Sequence, residues 1–274
     1  MAMSKRRRAI LFRRAQYALL IVIVALIAVF ADWEDLRRSF FDVDTAAKMF
    51  PTVIQTALVN TIIYSAFGFA IGLGLGLLLA LMKLSPVAPW RWIATGYIEF
   101  FRGVPALLVF VALSVAVPLA FGLKFDINST AGLALGIVGS AYIAETIRAG
   151  ILAVPKGQIE AARSLGMSPG RTLVTVTIPQ AFRIILPPLT NELIMLIKDS
   201  SLISVVGLTA ADYELTKFGR ETLSRSPSLT PLLVAGLCYL IITLPLGQLS
   251  RRLEKRTGGR KIGTPESSGL GVSA

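Results

Sequence analysis

The chain has 274 residues, of which 54% are hydrophobic and 16% charged, with a mean hydropathy of +0.69 and a formal charge of +12. That apolar share exceeds what a globular core of this size can bury, so the composition excludes a water-soluble domain and indicates an integral membrane protein. There is no histidine and the single cysteine, Cys238, lies in an apolar run, which excludes an intrachain disulfide and leaves a His/Cys metal site without ligands.

A bilayer span needs roughly 20 apolar residues, and six stretches qualify. The first covers residues 15–31, after a basic start, "MAMSKRRRAILFRR", at 1–14 and before an acidic segment at 32–50. A basic start plus an apolar stretch also fits a cleavable signal peptide, but "FADWEDL" offers no small-x-small cleavage pattern. The second stretch, 53–82, carries Gly68, Gly72 and Gly76 at a spacing that lets helix backbones approach closely in lipid. Its "GFAIGLGLG" is no nucleotide loop, since an apolar span and not a strand precedes it. The third, 92–123, has Glu99, Arg102 and Pro105 near its start, which predicts a separate first helix joined at "RGVP". The fourth covers 131–153. The fifth, 181–208, contains Glu192, Lys198 and Asp199, and the sixth covers 229–249.

Lysine and arginine set the orientation. The N-terminus, the loop 83–91, the segment 148–183 and the tail 251–274 together hold 19 basic and three acidic residues, whereas the alternate loops hold seven basic and nine acidic. The positive-inside bias places both termini and the 148–183 segment in the cytoplasm, in agreement with an even number of spans. A basic N-terminus can also be a nucleic-acid arm, but beside a span it reads as a topology signal, so membrane lipid and not nucleic acid is the expected neighbour.

The cytoplasmic segment between the fourth and fifth spans, about 154–180, is shaped in detail. Pro155 and Gly157 open a short helix whose Ile159, Ala162 and Leu165 give it one apolar face. Gly166 stands where a left-handed cap would end it. Ser168-Pro169 then supplies an N-cap and first-turn proline for a second helix, "GRTLVTVT", which Pro179 should break. The paired Ala161 and Ala162 leave room for a neighbouring surface. An amphipathic helix lying in the membrane interface is the plainer reading of the same residues.

"EAARSLG", nine residues and then "VTIP" resembles the EAA signature of permease subunits of ATP-binding-cassette (ABC) importers, with Val176 and Ile178 where Ile and Leu are usual. The wider chain resembles the polar-amino-acid branch through "FFRGVP" (100–105), "AYIAETIRAG" (141–150), "VPKGQIEAARSLGMS" (154–168) and "KDSSLISVVG" (198–207), over about residues 50–250. Val104 and Ala149 depart from the usual Thr and Gly. The resemblance implies an all-α membrane protein of about six helices. Its core is a five-helix permease domain at 51–250, to which the span 15–31 and the loop 32–50 are extra, followed by the basic tail 251–274. It also implies that Glu160, Ala161, Ala162, Gly166 and Pro179 couple the chain to ABC ATPase subunits. Further implied partners are a second permease subunit, identical or homologous, and an extracytoplasmic solute-binding protein, at a bacterial inner membrane.

No G-x-x-x-x-G-K-[ST] occurs, so the chain has no P-loop, and ATP is expected to be used by the partner ATPase with no cofactor held here. An intramembrane hydrolase would need a nucleophile and base, and without histidine only Ser200 or Ser201 beside Lys198 is available, at helix spacings that form no obvious dyad. No enzyme activity is therefore expected. Arg102, Glu145, Arg148 and Asp199 are the candidate solute path, because charges in lipid are turned inward or paired. Glu145 and Arg148 can also simply hold each other at i,i+3. The competing function is a gradient-driven secondary transporter, for which Glu145, Arg148, Glu192, Lys198 and Asp199 would serve ion coupling.

Overall fold

The computed structural model describes residues 5–123 and 125–256, and among these the regular structure is helical, with no strand. The remainder of the basic tail lies outside the described residues. The helices are α1 (Lys5–Phe30), α2 (Trp33–Phe40), α3 (Val43–Met49), α4 (Val59–Leu84), α5 (Ala88–Gly103), α6 (Ala106–Val111), α7 (Val117–Phe121), α8 (Ile127–Leu152), α9 (Lys156–Ser164), α10 (Pro169–Thr172), α11 (Ile178–Asp199), α12 (Leu215–Leu223) and α13 (Thr230–Arg256). Five helical stretches are long and apolar enough to cross a bilayer: 8–30, 53–84, 127–152, 169–205 and 230–256. The pair α5 and α6–α7, bent by 102° at Val104-Pro105 where the "RGVP" sequence predicts a joint, has the length and composition of a sixth, as a broken span or a re-entrant loop.

The centre of the bundle is the pair α4 and α8. Gly68, Gly72 and Gly76 are buried along one side of α4, and a Cβ on Gly68 would lie 2.4 Å from Leu135 Cβ, one on Gly76 2.8 Å from Ile143 Cγ2. From the other side, a Cβ on Gly136 would lie 2.6 Å from Ile71 Cγ2. The glycine spacing thus serves backbone approach, and α8 answers it with glycines of its own. Tyr97 fastens α5 to α8, its hydroxyl 3.1 Å from the Ile137 carbonyl and 3.0 Å from Ser140 Oγ. Ile185 on α11 fills the space over Gly150, where a Cβ would stand 2.1 Å from Ile185 Cγ1. α13 closes the bundle, Ser250 donating to the Pro187 carbonyl at 3.2 Å.

Two features differ from the sequence reading. Pro179 does not break the helix after "GRTLVTVT": the π-helical turn Leu173–Thr177 precedes it and the axis continues into α11. With that turn already out of the i→i−4 ladder, the missing N–H of proline interrupts nothing further. The acidic segment 32–50 is also no simple loop. Asp32 and Asp42 cap α2 and α3, and this elbow is pinned to the start of α13 by Asp42 N–H to Thr230 Oγ1 at 2.9 Å and Leu229 N–H to the Ser39 carbonyl at 2.6 Å. Helix α1, by contrast, exposes every side chain from Arg8 to Phe30.

Candidate functional site

A cavity of about 280 Å³ lies where the bend after α5 meets α8 and α11. Phe110, Leu135, Val138 and Leu196 give it an apolar wall, and Glu192 and Asp199 supply its charge. The two acids are seven residues apart on α11, hence on one helix face. Neither makes an ion pair or a side-chain hydrogen bond among the described residues. Arg102, in the last turn of α5, holds its guanidinium carbon 5.5 Å from the ring centroid of Tyr142, a residue that lines the cavity, and its charge acts on Glu192. Hollows of about 640 and 570 Å³ flank the α2–α3 elbow, but they sit on the outside of the bundle and gather no residue from α8 or α11.

Of the four residues predicted for the solute path, Asp199 lines this cavity and Arg102 stands outside its lining, beside Tyr142. Glu145 and Arg148 are elsewhere: Glu145 Oε1 accepts from Lys83 Nζ at 2.5 Å and its Oε2 from Arg148 Nη2 at 2.8 Å, so the carboxylate is closed by two cations. Glu192, weighed in the sequence only for ion coupling, belongs to the cavity; the i,i+7 pair of acids on an apolar helix was the signal. The partnership of Lys83 with Glu145 crosses 62 positions and had no local signal.

The segment between α8 and α11 packs Val154 and Ile159 on the bundle core and leaves most of its other side chains exposed. α9 ends in a closed Schellman turn, with Gly166 N–H on the Arg163 carbonyl at 3.0 Å and Met167 N–H on the Ala162 carbonyl at 3.2 Å. Gly166 has φ +81°, the left-handed conformation its place in the sequence predicts, with no other atom within 4 Å of a would-be Cβ. Ser168 caps α10, accepting from Arg171 N–H at 3.3 Å. Ala162 is buried, whereas Glu160, Ala161, Gly166 and Pro179 are exposed. Leu165 is 85% exposed and does not join Ile159 and Ala162 on the packed face, because the turn at Gly166 carries it outward.

Residues 72–259 match the family model of the binding-protein-dependent transport system inner membrane component. The chain belongs to that family. It is 38% identical over 186 residues to the arginine transport system permease protein ArtQ of Bacillus subtilis, covering 68% of this chain and 84% of that one. It is 36% identical over 200 residues to the probable glutamine ABC transporter permease protein GlnM of the same organism, covering 72% and 91%. Among solved structures it is similar to an amino acid ABC transporter crystallised with histidines, at 36% identity and a TM-score of 0.71, over 78% of this chain and 98% of that one. The protein is therefore a multi-pass inner-membrane permease subunit of an ABC importer, a transport component. The gradient-driven alternative gains no support from these matches.

Proposed function

We propose that this subunit carries a small amino acid through the cavity between α6, α8 and α11, driven by a separate ATPase that docks on α9. The observation that carries the solute reading is the pair Glu192 and Asp199, two acids that line one cavity and make no ion pair or side-chain hydrogen bond among the described residues. Leaving a carboxylate unpaired in an apolar surround is costly. An incoming ammonium group removes that cost, and Arg102 at the cavity edge suits the carboxylate of the same molecule. Relatives that move arginine and glutamine favour an amino acid over a sugar or an ion.

The coupling reading rests on α9. Its exposed Glu160, Ala161 and Leu165 and its hydrogen-bonded glycine turn form an exposed face, suited to a groove of a soluble partner. Both termini and α9 lie in the cytoplasm, by the positive-inside count. A second permease subunit completes the path and a solute-binding protein delivers from outside. The chain itself hydrolyses no ATP; it alternates between two helix arrangements that partner and solute favour differently. A Cβ at Gly166 costs about 1–2 kcal/mol in the left-handed turn, and leucine there also enlarges the docking face. With the complex reconstituted in proteoliposomes, Gly166→Leu and Glu160→Ala should lower ATP-dependent uptake or ATPase association while insertion stays normal. Wild-type uptake and association in both variants would refute the coupling role.

A further inference from the structure

The cation pair around Glu145 joins parts of the molecule that otherwise meet only through packing. Lys83 lies in the last turn of α4 and Glu145 on α8, so the 2.5 Å contact is a bond between helices, whereas Arg148 holds Glu145 within α8. The glycine seam between α4 and α8 ends at Gly76, and Lys83 stands seven residues further on, about 10 Å along the helix. All three side chains are about one-fifth to one-third exposed, so the bond is only partly screened by water.

The connections on either side of this bond are short. α8 leads into α9 through only Ala153, Val154 and Pro155, and α4 into α5 through Ser85, Pro86 and Val87. The second of these is itself fastened, Arg91 Nη1 donating to the Ser85 and Pro86 carbonyls at 3.0 and 2.7 Å. α5 in turn ends at Arg102 and the bend beside the cavity. Tyr97 anchors α5 to α8, and the last turns of α4 and the start of α5 otherwise meet α8 through apolar packing alone, Leu79, Ala80 and Ala94 against Ile143 and Ile147, so Lys83 supplies the one directional bond between α4 and α8 at this end among the described residues.

We propose that Lys83 and Glu145 form a clasp that makes α4 and α5 follow α8 when α9 is displaced, so that ATPase motion reaches the bend at Arg102. Both are positioning residues and touch no solute. The inference rests on the coupling reading of α9.

Two matched substitutions isolate the clasp. Lys83→Met and Arg148→Met each remove one cation and leave Glu145 with the other, so they share charge change and residual pairing and differ in whether the severed bond spans two helices. In proteoliposomes containing the permease, its cognate ATPase and binding protein, solute moved per ATP hydrolysed is read with radiolabelled L-arginine or L-glutamine, whichever the wild type moves faster. Lys83→Met should lower that ratio roughly 2- to 30-fold, the range for residues that carry coupling between sites. Arg148→Met and Lys83→Arg should stay within about two-fold of wild type, the margin of independent effects. An unchanged ratio in Lys83→Met, an equal fall in Arg148→Met, or failure of the Lys83→Met complex to assemble would each overturn the clasp. Gly166→Leu, run alongside, separates the two claims: wild-type behaviour there removes the coupling reading, while a defect there with a normal Lys83→Met removes the clasp alone.

Discussion

Glu145 and Glu192 are both carboxylates on apolar, membrane-length helices, and their surroundings are opposite. Glu145 is saturated by Lys83 and Arg148 at the end of a glycine-packed seam; Glu192 shares a cavity with Asp199 and makes no ion pair or side-chain hydrogen bond among the described residues. A charge in the membrane thus has two readings, and its partner list decides between them. A saturated carboxylate has little left to offer a solute and holds helices together. An open one keeps its affinity for a ligand that the chain does not supply.

Close backbone packing, with the clasp only at its end, holds α4, α8 and α11 together. Gly150→Leu sets a side chain against Ile185, whose Cγ1 is 2.1 Å from where Cβ would be, while Gly74 has nothing within 4 Å. Thermal unfolding in detergent should show Gly150→Leu destabilised by about 1–3 kcal/mol, as for other overpacked cores, and Gly74→Ala close to wild type. Equal stability of the two would mean that the helix pairs are looser than their glycines indicate.

A third carboxylate sharpens the contrast because neither a cation nor a cavity answers it. Glu214 caps α12, accepting from Thr216 and Lys217 N–H at 2.6 Å each and from the Tyr239 hydroxyl at 2.9 Å. Burial nevertheless outweighs these bonds and pushes its acid strength down, its pKa standing above the ordinary 4.5. A raised carboxyl pKa means that the folded state holds the proton more tightly, so this contribution is full below 4.5 and is lost as pH rises through the folded value. Asp42 and Asp126 are held below 3.8 by hydrogen bonds from Thr45 and Ser129, so their contribution fades only in stronger acid. As pH rises above 4.5 toward the folded value of Glu214, thermal stability should therefore decline, and Glu214→Gln should flatten that decline. An unaltered slope would show that Glu214 does not control it.

Much of this was legible in the sequence, for local reasons. Apolar runs of bilayer length located the crossings, and "RGVP" located the bend, because proline and glycine act on their own turn. Gly166 and Ser168 announced their caps for the same reason. What stayed hidden depends on which way a helix is rotated. Nothing near Glu145 names Lys83 as its partner, and although the i,i+7 spacing puts Glu192 and Asp199 on one face, it does not say what that face meets. The answering glycines of α8 and the π turn that carries the chain past Pro179 likewise appear only once neighbouring helices are in place.

The most direct test compares Asp199→Asn and Glu192→Gln with Glu145→Gln, reading KM for uptake and solute moved per ATP in the same proteoliposomes. Asp199→Asn and Glu192→Gln should raise KM about 10-fold or more, the worth of one charge-assisted hydrogen bond, with ATPase activity kept. Glu145→Gln should leave KM near wild type and lower the transport ratio instead. A raised KM in Glu145→Gln, with no change in the other two, would contradict the assignment of open carboxylates to the solute and closed ones to the scaffold.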